Sequence, residues 1–100
     1  GPVRRRATLV AELRRMSARV AARLAGRGDA ARTVTTKVRY PDFSIRSRSL
    51  TLPAGIDTAE EIAEHACALL DRALADRPGA LRLIGVSVSS LEPFRQLPLE

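Results

Sequence analysis

From Leu9 to Leu24 the apolar residues Leu9, Leu13, Met16, Val20 and Leu24 recur at spacings of four, three, four and four, which is one stripe of a helix. The spacing predicts a core-facing helix over Thr8–Ala25. Arg14, Arg15, Arg19 and Arg23 lie on its other faces, read as a solvated surface, and Gly26-Arg27-Gly28 supplies the glycines that let a helix end in the left-handed conformation. The period then drops to two. In Thr33–Leu52, TVTTKVRYPDFSIRSRSLTL, Lys37 and Arg39 alternate with Val34, Thr36, Val38 and Tyr40, and beyond the Pro41-Asp42 turn Arg46 and Arg48 repeat the pattern. This predicts an antiparallel hairpin with Lys37, Arg39, Arg46 and Arg48 on one basic face, beside the hydroxyls of Thr35, Ser47 and Ser49. Strict alternation would also put Leu50 and Leu52 on the arginine side, so a bulge or twist near Ser49 is expected to return them to the core. Pro53-Ala54-Gly55 is expected to close the second strand.

A new helix follows. Thr58-Ala59-Glu60-Glu61 is a capping box, in which the Thr58 hydroxyl accepts from the amide of Glu61 and the Glu61 side chain reaches back. Ile62, Ala66, Leu69, Leu70, Ala73 and Leu74 form its apolar stripe, and Arg77-Pro78-Gly79 ends it. Leu81–Leu91 reads as a third strand, with Ile84, Val86 and Val88 on one side and Gly85, Ser87 and Ser89 on the other. Glu92–Glu100, with two prolines and no period, reads as a tail. The expected fold is therefore α+β: two helices packed on one face of a small, mainly antiparallel sheet, in the order α-β-β-α-β. Residues 1–7 are a leader, whose Gly1-Pro2 resembles the remnant of a cleaved tag; residues 8–91 are the domain, and residues 92–100 the tail.

Composition narrows the partners. Seventeen Lys+Arg against eleven Asp+Glu give a formal charge of +6, which favours a polyanion such as nucleic acid over an acidic small molecule. Phosphate contacts are made by Lys/Arg, small hydroxyls and backbone amides, the groups that the hairpin carries. Aromatic residues are 3% of the chain (Tyr40, Phe43 and Phe94), too few for stacking several single-stranded bases, so duplex backbone suits the composition better. A single cysteine, Cys67, permits no internal disulfide; it sits beside the second helical stripe and reads as a buried, inert thiol. His65 stands alone and reads as a surface residue, so no metal site and no catalytic set is expected. No apolar run is long enough for a membrane span, and a cytoplasmic location is expected.

The runs VTTKVRYPDFSIRSRSLTLP and RLIGVSVSSL, in this order of elements, resemble the little finger of Y-family DNA polymerases of the DNA polymerase IV type, over about Leu9–Glu100. The resemblance implies a lesion-bypass parent enzyme whose magnesium-binding carboxylates sit in a separate palm domain, with this segment non-catalytic and without a cofactor. It implies a domain that lies along template-primer duplex DNA and grips its phosphates, with Lys37, Arg39, Arg46, Ser47, Arg48 and Ser49 as the contacting residues. Gln96-Leu97-Pro98-Leu99 resembles the peptide by which that family docks on the bacterial sliding clamp. In the family a strand precedes the first helix; here only Pro2–Ala7 does, so that strand is expected to be missing or truncated, leaving the Leu81–Leu91 edge open to self-association or to pairing with the chain's own ends. The rival readings are a free-standing α+β RNA-binding module and, at longer odds, a small hydrolase, for which the chain lacks a positioned nucleophile and base.

Overall fold

The computed structural model describes residues 2–93. Helix α1 (Arg6–Arg27) leads into strand β1 (Asp29–Arg39), which turns back through β2 (Ile45–Ile56); helix α2 (Ala59–Asp76) then crosses to β3 (Leu83–Pro93). Both partners of β1 run antiparallel to it, in the sheet order β2-β1-β3. The α+β class and element order are those expected. The first strand of the hairpin thus becomes the centre of the sheet, and the two helices pack together over one of its faces.

The local signals act much as the sequence indicates. Gly28 takes a left-handed conformation (φ 67°), and its amide donates to Ala25 O at 3.2 Å, closing α1. At α2 the Glu61 amide donates to Thr58 Oγ1 at 3.2 Å, while the Glu61 carboxylate accepts from the Thr58 hydroxyl at 2.8 Å rather than from its amide. Helix α1 begins at Arg6, earlier than the apolar stripe alone predicts. The Arg6 guanidinium forks onto both oxygens of Asp71 on α2, at 2.8 Å each, which holds the two added residues against the neighbouring helix. The buried stripe of α1 is Leu9, Leu13, Ser17, Val20 and Leu24, with Ser17 in the place expected for Met16, which is half-buried. A small side chain there lets the helix sit close, although its hydroxyl is buried without a hydrogen-bond partner among the described residues.

The core lies between the helices and the covered face of the sheet, where Val34, Thr36, Val38 and Tyr40 of the central strand and its end are fully enclosed. Two hydrogen bonds pin this layer: Thr36 Oγ1 donates to Ala66 O at 2.9 Å, and Tyr40 Oη donates to Arg77 O at 2.7 Å. Pro53-Ala54-Gly55 does not end β2. Pairing shifts between Thr33↔Thr51 and Ala31↔Ile56, so Leu52–Gly55 bulge opposite Arg32 alone, whose Nε donates to Leu52 O at 3.0 Å. Gly55 is required there, because a Cβ would meet the Ala30 Cβ at 2.8 Å.

At the other end, β3 runs through Glu92 and Pro93, which pair with Ala30 and Asp29 and so belong to the domain rather than to a tail. Residues 94–100, including Gln96, Leu97, Pro98 and Leu99, lie outside the described residues. Ahead of α1, where the strand was expected to be missing or truncated, Val3 forms one bridge with Leu81: the two exchange backbone hydrogen bonds at 2.7 and 2.9 Å, just before β3 begins.

Candidate nucleic-acid interface

Register decides which side chains share a face, because residues directly opposite in an antiparallel pair point the same way. One set of rows is Leu50–Val34–Val88, Arg48–Thr36–Val86 and Arg46–Val38–Ile84; the other is Thr51–Thr33–Ser89, Ser49–Thr35–Ser87, Ser47–Lys37–Gly85 and Ile45–Arg39–Leu83. The first set contains the buried residues and faces the helices. The second set forms the open face.

This corrects the expected single basic face. Lys37 and Arg39 stand on the open face with Ser47 and Ser49, whereas Arg46 and Arg48 lie on the helix side of the edge strand. Arg48 forms an ion pair with Asp76 at the end of α2. No bulge occurs at Ser49; alternation runs unbroken from Ile45 to Thr51, and Leu50 and Leu52 pack against the core with the arginines on their side. Along β2 that side passes from charged Arg46 and Arg48 to apolar Leu50 and Leu52 as the strand runs in under the helices.

The open face carries Lys37, Arg39 and a field of hydroxyls, and none of the residues in its four rows is acidic. Thr35 and Ser49 hydroxyls meet at 2.7 Å, and Thr33 bridges Thr51 at 3.0 Å and Ser90 at 2.9 Å, which holds these short side chains in place across all three strands. Gly85 leaves the surface low beside Lys37, with nothing within 4 Å of the position a Cβ would take. Neither Lys37 nor Arg39 has an ion-pair partner among the described residues. An anion meeting these rows would find two cations without an ion-pair partner, hydroxyl groups and, among the described residues of the rows, no carboxylate.

The row Ile45–Arg39–Leu83 ends at the β1–β2 loop, which is built more rigidly than its Pro-Asp signal suggests. The Phe43 amide donates to Tyr40 O at 2.9 Å and the Tyr40 amide to Ser44 O at 3.0 Å, leaving Phe43 itself in the left-handed region (φ 69°). That conformation normally takes glycine, and an aromatic there costs about 1–3 kcal/mol. Asp42 holds the turn: it accepts from the amide and hydroxyl of Ser44 and from Arg77, which also covers the Tyr40 ring at 3.9 Å. The Ser44 hydrogen bonds, with those of Arg77 behind them, hold the Asp42 carboxyl down at about 2. Sequence reasoning missed this lock and Phe43 with it, since no pattern marks an aromatic residue for a glycine position.

On the far side, a groove of about 680 Å³ runs between the helices, with Arg6, Arg14, Cys67 and Asp71 among its lining. Burial pushes the half-buried Cys67 thiol up, away from the reactive thiolate form. Among the described residues no group of three or more His, Cys, Asp or Glu is placed to hold a metal, and no helix is long and apolar enough to cross a membrane.

Comparison with known proteins now decides the family. Residues 1–99 match the impB/mucB/samB family C-terminal domain. The chain belongs to that family. Similar curated proteins include DNA polymerase IV 2 of Mesorhizobium japonicum, 38% identical over 92% of the chain and 23% of that relative, and DNA polymerase IV of Corynebacterium diphtheriae, 45% identical over 74% of the chain and 16% of that relative. The chain thus spans less than a quarter of either. Among solved structures, a chimeric Y-family DNA polymerase matches with a TM-score of 0.77 at 17% identity, over 93% of this chain and 26% of that one. A polymerase IV little finger domain, solved in complex with the beta-clamp processivity factor, matches with a TM-score of 0.70 at 17% identity, over 99% of this chain and 87% of that one. The fold is that of the Y-family little finger.

Proposed function

We propose that this domain grips duplex template-primer DNA through its open sheet face, as part of a lesion-bypass DNA polymerase whose palm carries the catalytic carboxylates and magnesium and which acts in the bacterial cytoplasm. The single observation that carries the reading is a sheet face, opposite the helices, whose four rows hold no acidic residue and on which Lys37 and Arg39 have no ion-pair partner among the described residues, amid hydroxyls ordered across the strands. Lys37 and Arg39 take phosphates directly, and Ser47 and Ser49 add hydroxyl contacts beside them. Arg46 and Arg48 act from the rim: they lie on the helix side of the edge strand, and Arg48 must leave or share Asp76 to reach a phosphate. Contacts of this kind read backbone rather than bases, so sequence preference is slight.

The test is titration of primed duplex DNA, single-stranded DNA and double-stranded RNA with the protein over a range of salt. About three neutralised phosphates give a slope of log K against log salt near ~3 in magnitude. Salt-independent binding, or equal preference for double-stranded RNA, overturns the reading.

The same protein docks, on our reading, on the sliding clamp through Gln96-Leu97-Pro98-Leu99. The sequence pattern supports this, as does the fold shared with a little finger solved on a clamp. Gln96 would supply hydrogen bonds and Leu97 and Leu99 apolar burial, and the restricted φ of Pro98 would lower the ordering cost of docking. Docking raises the polymerase's local concentration at the primer without altering its chemistry. Clamp titration with Gln96→Ala and with the Leu97→Ala, Leu99→Ala double variant checks it; unchanged binding places docking elsewhere.

A further inference from the structure

We infer that Phe43, with Arg82, is a stacking platform for a single unpaired nucleobase at the end of the duplex held on the open face. The inference rests on the duplex-binding reading and extends it from phosphates to a base. Phe43 is the most exposed large apolar side chain described, at 60%, and it is held at φ 69° where a glycine would sit without strain. The turn does not need a ring there. The Asp42, Ser44 and Arg77 contacts fix the loop through residues on either side of it, so the strained aromatic is presented outward by a scaffold that gains nothing from its burial.

Three further observations specify the occupant. The Arg82 guanidinium lies over the Phe43 ring at 4.7 Å, which pairs the two flat groups that stack on bases. Ile45 and Leu83, 43% and 49% exposed, flank Arg39 at the same end of the sheet, so the platform is continuous with the proposed phosphate face. The cations around it, Arg39 and Arg82, suit a nucleotide, whose base is apolar on its faces and whose phosphate is anionic. An apolar protein segment would leave both charges against it without an anion. A single platform also agrees with the scarcity of aromatics, which excludes a run of stacked bases but not one.

The experiment compares a blunt duplex with the same duplex carrying a short single-stranded overhang whose first unpaired base is 2-aminopurine, titrated with the native chain, Phe43→Gly and Phe43→Tyr. One stacked base should raise affinity by about fivefold or more over the blunt duplex and change the probe's fluorescence on binding. Phe43→Gly, which relieves the backbone, should fold and bind the blunt duplex as before but lose both the gain and the fluorescence change, and Phe43→Tyr should keep them. An overhang that adds nothing in the native chain, or a gain that survives Phe43→Gly, overturns the platform while leaving duplex binding intact. Failure to bind the blunt duplex overturns the phosphate-gripping reading instead.

Discussion

The two faces of the sheet are made from the same three strands and obey different rules. On the covered face the helices close over the central strand: Thr36 donates to Ala66 O, Arg48 meets Asp76 at the rim, and Arg46 beside it is exposed. On the open face the side chains are short, hydroxylated or cationic apart from Ile45 and Leu83 at one end, and the hydroxyls partner one another across the strands. The difference teaches that strand parity sorts the side chains that pack the core from those left to meet a partner, with Arg46 and Arg48 at the rim between them. Substitutions one residue apart should have effects of different kinds.

The largest expected effect is on the covered side. Leu69 is 1% exposed, and Leu69→Ala should cost about 2–5 kcal/mol in urea unfolding, while the folded fraction binds duplex DNA with its salt dependence unchanged. A loss of the salt slope in that variant would show that the faces are not separable. Next comes the open side: Lys37→Ala with Arg39→Ala should lower the salt slope of duplex binding by about two and leave the unfolding midpoint within experimental scatter. Arg46→Ala with Arg48→Ala should lower it by less, since both lie on the helix side. Equal losses would mean that the rim contributes as much as the face.

Two smaller effects sharpen the contrast. Ser17 buries a hydroxyl without a partner, so Ser17→Ala should raise stability by about 1 kcal/mol in the same unfolding assay, and an open-face Ser87→Ala should not. The smallest concerns the hairpin lock. Asp42 is depressed to about 2 in the folded chain, so its contribution is fully present above the ordinary carboxylate value near ~4 and is lost as pH falls towards 2. Asp42→Asn should therefore flatten part of the acid limb of a pH-stability curve, measured by thermal unfolding, and leave neutral duplex binding nearly unchanged.

Much of this molecule is determined locally and is legible along the chain. The change of period from about four to two and back gives the element order, because helix and strand expose their faces at different spacings. Gly28 and Thr58 mark helix ends through conformations and hydrogen bonds that involve only near neighbours. Strand parity also told which residues travel together, but not which side the helices would cover. For β2 that was decided in three dimensions: pairing of Arg46 with Val38 and Arg48 with Thr36 sets the arginines on the core side, where α2 ends in time to leave them at the rim. Leu50 and Leu52 carried the signal, since they share the arginines' parity, and their apolar burial outweighs the placement of two long, flexible cations that can reach water from an edge. The lock around Phe43 had no such signal. Its members, Tyr40, Asp42, Ser44 and Arg77, come from the loop and from the far end of α2, and only their convergence in the folded chain makes an aromatic residue hold a position that backbone preference would give to glycine.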